Sequence, residues 1–297
     1  MTAPVGAIVS GAGGFLGRAV VTRLQAEGVT VFAPSRAELD FRDAAAVERA
    51  FAAVSAAMVF HLASSGVFAV ADDPRIVGDE LAMARAVAIA ARPGTRVVFA
   101  GSMAEYGNSG RLRESDPVLP RNAYARAKVE AGRILADGAG SGGYALVHAR
   151  LFGLYGPGEA ATRLLPSILA ALTAGQPIAL SDGRQRRDFV HIDDAARALC
   201  DLAGCASPPP LVNVGTGRAL AVRDVALALA RELTADPALL RFGDRQRSPH
   251  DQDCLEADTA VLRQAIGWTP PQRLEPGLSL LPQVGVASGA NRLETSR

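Results

Sequence analysis

The chain has 297 residues, with 31 Lys and Arg against 30 Asp and Glu (net charge +1), and it is 49% hydrophobic. That length allows one large α/β domain or two smaller ones around a sizeable core, and the balanced charge argues against a nucleic-acid or membrane-surface partner, which would want a basic stripe. No apolar run is long enough for a membrane span, the start MTAPVGAIVS lacks the basic and apolar regions of a secretion signal, and three scattered cysteines and four separated histidines point to reduced thiols in a cytoplasmic protein without a metal site.

In chain order, VGAIVS reads as a strand, Leu16–Glu27 as a helix, GVTVFAP as a second strand and AAAVERAFA as a helix. AAMVFHLAS is a strand, DELAMARAVAIAAR a helix, TRVVFAGS a strand, AYARAKVEAGRILAD a helix and YALVHARLF a strand. The glycine-rich GAGSGG at Gly138–Gly143 is expected to stop the helix before it. This alternation predicts an α/β fold of the Rossmann type, a doubly wound parallel sheet covered on both faces, with ligands gathered beyond the carboxyl ends of the strands. The dinucleotide-binding domain is expected over residues 1–157, with the segment near 189–214 returning to it. The rest, 158–297, is expected to be mainly a smaller substrate-binding lobe with shorter helices (TRLLPSILAALTAG, DDAARALCDLAG, VRDVALALAREL) and a loose tail. The Ala-rich helices in Glu80–Arg92 and Tyr124–Asp137 are candidates for a subunit interface.

The first turn, SGAGGFLG, carries glycines at Gly11, Gly14 and Gly17 in G-x-x-G-x-x-G spacing, between a strand and a helix. One glycine allows the turn, a second lets a pyrophosphate approach the main chain, and a third lets helix and strand pack closely. The helix start, with Phe15 and Leu16, then presents free N–H groups and a positive dipole end to the phosphates; the bland alternative is a tight turn with no ligand. After the second strand, where an acid would bind the 2′-hydroxyl of NAD(H), the sequence has Ser35 and Arg36. Arginine suits a 2′-phosphate, which favours NADP(H). The alternative is a solvated Arg36, with Asp40 and Phe41 at the adenosine and NAD(H) as cofactor.

Tyr124 and Lys128 stand four residues apart on one helix face. The ammonium favours tyrosinate, so this pair suits proton transfer near neutral pH; alone, two such residues on a helix are common. Ser102 ends the preceding strand, where its hydroxyl can hold a substrate carbonyl and stabilise its developing oxyanion, or can simply cap a turn.

Together, SGAGGFLG, VFHLAS, FAGSMAEYG, YARAK, RLFGLYGPG, RRDFVHIDDAARAL and NVGTG, in order from Ala7 to about Gly277, resemble the extended short-chain dehydrogenase/reductases of the NAD-dependent epimerase/dehydratase type. The resemblance implies a Rossmann domain with a smaller substrate lobe, a nucleotide-diphospho-sugar substrate, and a homodimer built through a four-helix bundle. It makes Ser102, Tyr124 and Lys128 the catalytic trio, Gly11, Gly14 and Gly17 the pyrophosphate turn, and Leu62 and Ala63 cofactor-lining residues. Met103 and Arg187, with Arg247 by a looser match, fall to the substrate; a salt bridge from Arg187 to Asp193 or Asp194 is the alternative. His61 and His191 are taken as structural.

Departures sharpen the expectation. Where the 4,6-dehydratases carry Asp-Glu after the catalytic hydroxyl, this chain has Met103 and Ala104, neither able to move a proton. Ala104 also replaces the cysteine of reductases that epimerise C3 and C5, and Glu105 is expected to point to the other side of the strand. Gly153 stands where the family more often has an asparagine that contacts the diphosphate. The reading that follows is NAD(P)H-dependent reduction of a keto group on a nucleotide-diphospho-4-keto-6-deoxyhexose, with an NAD-dependent 4-epimerase as the first alternative and a non-catalytic cofactor sensor as the least favoured.

Overall fold

The computed structural model describes residues 6–54, 56–65, 73–248 and 251–270. The first half runs β1 (Ala7–Ser10), α1 (Phe15–Ala26), β2 (Val31–Phe32), α2 (Ala44–Ala53), β3 (Met58–His61), α3 (Pro74–Ala90), β4 (Arg96–Ser102), β5 (Gly110–Leu112), α4 (Ala123–Gly142), β6 (Ala145–Leu151) and β7 (Gly153–Tyr155). The second half runs α5 (Leu164–Thr173), β8 (Ile178–Leu180), β9 (Arg186–His191), α6 (Ile192–Gly204), β10 (Leu211–Val214), β11 (Ala219–Ala221), α7 (Val222–Glu232), β12 (Leu240–Phe242), β13 (Cys254–Ala257) and α8 (Ala260–Ile266).

Six strands form one parallel sheet in the order β10-β6-β4-β3-β1-β2. The period-2 alternation of each strand sends its apolar side chains to both faces. Val9, Val98 and Ala100 pack under α1 and α6 with Val20, Leu24, Leu199 and Leu202. Ile8, Val97 and Phe99 pack under α2, α3 and α4 with Val47, Phe51, Met83, Val87 and Leu135. The strand order reverses at β1, which has β2 on one side and β3 on the other, so the crevice for a ligand opens at its carboxyl end.

Within the segment expected to return to the sheet, α6 packs on α1 and β10 pairs with β6, but β9 does not enter the main sheet. It pairs with β7, β11 and β13. Asp188 explains this placement: its buried carboxylate accepts from the backbone N–H groups of Thr216 (2.8 Å), Gly217 (2.9 Å) and Ala257 (3.1 Å), pinning β9 to the segments beside it. A third core, built on α5 and α7 with Ile168, Leu172, Val225 and Leu229, completes this half.

Two expectations are corrected. The second strand is only Val31–Phe32, because β2 is the sheet edge and pairs with β1 alone. The helix before GAGSGG does not stop at Gly138 but runs to Gly142 and ends on Gly143 at φ 73°. Gly138 is needed for packing instead: a Cβ there would lie 2.5 Å from the Tyr144 hydroxyl, which donates to the Leu135 carbonyl at 2.6 Å. The loose-tail expectation concerns residues outside the described ones. No helix among the described residues is long and apolar enough to cross a membrane.

Asp188→Ala strands three backbone N–H groups, that of Ala257 buried and those of Thr216 and Gly217 half-buried, and is expected to cost about 3 kcal/mol. Urea denaturation reads this as a lower midpoint at unchanged slope.

Candidate functional site

The glycine turn is packed against the chain's own backbone too closely for side chains at Gly11 and Gly17. Gly11 sits at φ 70°, and a Cβ on it would come within 2.7 Å of the Ala63 nitrogen. A Cβ on Gly17 would lie 2.1 Å from the Gly11 carbonyl, and one on Gly14 would lie 3.1 Å from the same oxygen. Gly13 has nothing within 4 Å of that position, so the x-x spacing and not G-x-G carries the turn. Helix α1 begins at Phe15 with no side-chain cap and no acid in its first turn, leaving the N–H groups around Phe15 and Leu16 to an anion. Arg18 ties this turn to the loop after β7, donating to the carbonyls of Gly13 (2.6 Å) and Gly158 (3.2 Å). In that loop, burial pushes the Glu159 carboxyl up to about 7, against the pull of Arg163.

Leu62 and Ala63 follow β3 directly, and both donate their N–H groups to the Ser10 hydroxyl, at 3.1 and 3.2 Å. The Ser10 proton is thereby directed at His61 Nδ1, 2.9 Å away. His61 is fully buried between the rings of Phe41 and Phe99, at centroid distances of 6.4 and 5.6 Å. Burial, reinforced by the nearby Lys128 charge, pushes its imidazole down to about 4. Its role is structural.

Past the short β2, the Ser35 N–H is bonded by Glu38 at 2.8 Å. Arg36 is 72% exposed and 4.0 Å from Asp40. The Arg42 guanidinium grips Asp40 at 2.6–3.1 Å and holds its carboxyl down to about 2, while Arg42 also reaches Asp79 at 3.3 Å. Phe41 is buried in the core beneath.

Strand β4 ends at Ser102, and the chain then closes a single 3-10 turn over Met103–Glu105. The Ser102 hydroxyl caps that turn, accepting from the Ala104 N–H at 3.2 Å, and still has its own proton to donate. Because the strand stops at Ser102, Glu105 does not continue its alternation. It folds back under the turn, accepts the Ser102 N–H at 2.8 Å and is buried against His148 (3.0 Å) and Arg150 (2.8 Å). Burial works against its charge, but those two neighbours hold the carboxyl below its usual range. Arg150 also lies over the Tyr106 ring at 4.4 Å, and the Tyr106 hydroxyl donates to Asn213 at 2.6 Å. Met103 packs against the small core of Tyr106, Leu112, Phe152, Leu255 and Ala257.

Helix α4 brings Tyr124 and Lys128 to this strand end. Lys128 Nζ lies 5.2 Å from the centroid of Phe99, three residues before Ser102, and 5.8 Å from that of Tyr124. Tyr124 is half-buried and Lys128 is buried. Lys128 donates at 3.0 Å to Glu80 on α3, whose other oxygen accepts from the Ser64 hydroxyl and, at 2.8 Å, from the Ser65 N–H. Burial alone would push the Lys128 ammonium down; Glu80 outweighs it and leaves it raised. The contacts run without a break from Gly11 to Ala63, through Ser64 and Ser65 to Glu80, and on to Lys128. The glycine turn and the catalytic candidates are thereby linked at the carboxyl edge of the main sheet.

Arg187 and Arg247, far apart in sequence, meet at Asp251. Arg187 pairs with one carboxylate oxygen and Arg247 approaches the other at 3.4 Å, while Arg247 also bonds the exposed Asp253 at 2.8 Å. Burial pushes Arg187 down, against the pull of Asp251. Neither Asp193 nor Asp194 is its partner, because Arg187 lies on β9 beside β13, facing the chain that carries Asp251. His191 caps α6, accepting from the Asp193 N–H at 3.3 Å. At Gly153 a Cβ would sit 2.9 Å from the Asp188 carbonyl, so close pairing of β7 with β9 takes the room an asparagine would need.

The sequence reading passed over Glu80, Arg150, His148 and Arg18. Glu80 did leave a signal: it falls on the same helical stripe as Met83, Ala84 and Val87, all buried, and an acid on an apolar stripe asks for a buried partner. Among the described residues no group of three or more His, Cys, Asp or Glu is placed to hold a metal.

The NAD dependent epimerase/dehydratase family matches residues 7–215. The chain belongs to that family. It is an NAD(P)-dependent enzyme of the short-chain dehydrogenase/reductase type on a Rossmann fold. Over 304 residues it is 29% identical to the dTDP-6-deoxy-L-talose 4-dehydrogenase (NAD(P)(+)) of Kitasatospora kifunensis, covering 92% of this chain and 93% of that one. It is 30% identical to the UDP-glucose 4-epimerase of Azospirillum brasilense over 198 residues, 59% of this chain and 56% of the other. The structure of MoeE5 in complex with UDP-glucose and NAD superposes with a TM-score of 0.75 at 26% identity, over 91% and 94% of the two chains.

Because His61 is held neutral in the fold at about 4 and titrates near 6.5 in the unfolded chain, its contribution to stability is present above pH 6.5 and lost as pH falls toward 4. The loss attributable to this one group is about 3 kcal/mol. Urea midpoints of the protein and of His61→Gln, compared at neutral pH and near pH 4, are expected to show that part of the acid sensitivity missing from the variant.

Proposed function

We propose that this family member is a ketoreductase that prefers NADPH and acts on a nucleotide-diphospho-4-keto-6-deoxyhexose. The observation that carries the reading is the bare proton-transfer set: Lys128 lies beside Tyr124 and beside Phe99 on the strand that ends at Ser102, while the next two positions are Met103 and Ala104, Glu105 is committed to His148 and Arg150, and Glu80 is committed to Lys128. Such a set can protonate an alkoxide or remove a hydroxyl proton, but it has no further acid-base pair for dehydration. The similarity of the Kitasatospora kifunensis enzyme over nearly the whole chain supports this, since a 4-dehydrogenase run in reverse is a 4-ketoreductase.

The residues then take these roles. Gly11, Gly14 and Gly17, with the start of α1 at Phe15 and Leu16, hold the pyrophosphate, and Leu62 and Ala63 line the cofactor. A bound NADPH supplies the hydride to the sugar C4. The Ser102 hydroxyl holds the carbonyl oxygen, Tyr124 gives it a proton, and Lys128 grips the ribose and tunes Tyr124. Arg247 exchanges the exposed Asp253 for the substrate diphosphate while Asp251 keeps it beside Arg187, and Met103 borders the sugar. The cofactor preference follows from charge: Asp40 is occupied by Arg42, whereas Arg36 projects into solvent next to Ser35, free to meet a 2′-phosphate. The homodimer belongs to the same proposal: α3 packs on α4 and leaves Ile89 56% exposed on the outside.

The 4-epimerase is the second reading, favoured by the similarity to the Azospirillum brasilense enzyme. The two separate on cofactor use. Stoichiometric oxidation of added NADPH with a dTDP-4-keto-6-deoxyhexose supports the reductase; turnover by protein that retains NAD, with none added, supports the epimerase. Tyr124→Phe is expected to lower turnover at saturating substrate on the order of a hundredfold or more, and unchanged turnover removes Tyr124 from the mechanism. Arg36→Ala is expected to weaken NADPH binding about tenfold or more while leaving NADH binding within about twofold, as read by intrinsic fluorescence titration.

A further inference from the structure

The lysine of the proposed site does not stand alone. Lys128 and Glu80 are 3.0 Å apart with side-chain exposures of 2% and 0%. An ammonium has three N–H donors, so the bond to Glu80 leaves two for a cofactor ribose. Glu80 is itself fixed by Ser64 and Ser65, in the loop that follows Leu62 and Ala63. One carboxylate therefore joins α3, α4 and the loop that lines the glycine turn.

We propose that Glu80 is a positioning residue that clamps Lys128 and cancels part of its charge, and so sets how strongly the ammonium acts on Tyr124. The inference rests on the reading of Tyr124 as the proton donor and Lys128 as its partner. An isolated ammonium beside a phenol favours phenolate, whereas an ammonium already paired with a buried carboxylate presents a dipole with a weaker field. Reduction needs the protonated phenol. The other charged or titratable groups around the pair do not replace Glu80. From β3 comes His61, held neutral; from the turn after β4 comes Glu105, whose charge is taken by His148 and Arg150; on α4 stands Tyr124 itself; and on α3 the neighbouring Asp79 is turned to Arg42.

The test compares pH profiles of kcat for NADPH-dependent reduction of a dTDP-4-keto-6-deoxyhexose by the parent, Glu80→Gln and Glu80→Asp, with folding checked by circular dichroism. Glutamine removes the charge and keeps the shape, but its single oxygen can accept from Lys128 or from the Ser65 N–H, not from both. Its alkaline limb, where the proton donor is lost, is expected to move to lower pH by about one unit or more, while Glu80→Asp stays with the parent. A Glu80→Gln profile superimposable on the parent overturns the inference, as does a Glu80→Asp profile that moves with Gln. If Glu80→Gln does not fold, Glu80→Gln/Lys128→Met, which strands neither charge, is compared with Lys128→Met. Turnover within about twofold supports action through Lys128, and a further tenfold loss overturns it. Tyr124→Phe separates the two levels: full activity there ends the reading of the site itself, whereas a dead Tyr124→Phe with an unmoved Glu80→Gln profile ends only this inference.

Discussion

The carboxyl edge of the main sheet buries polar side chains strand by strand, and the structure around it bonds each of them, although His61 Nε2 and Arg150 Nη1 have no partner among the described residues. Ser10 ends β1, His61 ends β3, Ser102 ends β4, and Arg150 and Asn213 stand one residue from the ends of β6 and β10. A buried polar group without a partner costs a few kcal/mol, so each of these residues constrains its neighbours. Ser10 and His61 tie the glycine turn to the loop after β3, and Glu105 ties Ser102 to Arg150. Asn213, bonded by Tyr106 and donating to the Leu112 carbonyl at 2.9 Å, carries the network toward the second lobe.

Within that edge, Lys128 and Glu80 hold opposite charges almost out of water. Such a pair is weak evidence for stability, since an apolar pair of similar volume often does as well. Its place between the glycine turn and Tyr124 gives it another use. The bond to Glu80 takes one of the ammonium's three donors and anchors it to α3. The aromatic floor of Phe99, shared with His61 and His148, keeps that neighbourhood apolar enough for the charges to be felt.

The smaller sheet of β9, β11 and β13 gathers two cationic groups by another route. Asp188 fixes β9, and β9 fixes Arg187, which meets Arg247 across Asp251. The close approach of β7 to the Asp188 carbonyl also accounts for Gly153. Asp188 therefore acts twice: its carboxylate fixes the strand that carries Arg187, and its backbone carbonyl takes the room beside Gly153.

The sequence by itself determined the α/β class and the glycine turn. Alternation with period 2 in strands and 3.6 in helices is a local property of the chain, and so is the glycine spacing that a strand-to-helix turn requires. It also determined that Tyr124 and Lys128 share a helix face, because four residues make about one turn. Only the tertiary structure decided that Glu80 partners Lys128 across 48 positions, that Glu105 turns back to Arg150, and that Arg187 meets Asp251 rather than Asp193 or Asp194. Each of these is a long-range choice of partner for a buried charge. Many acids in the chain could have made each bond, and burial with helix and strand packing selects one.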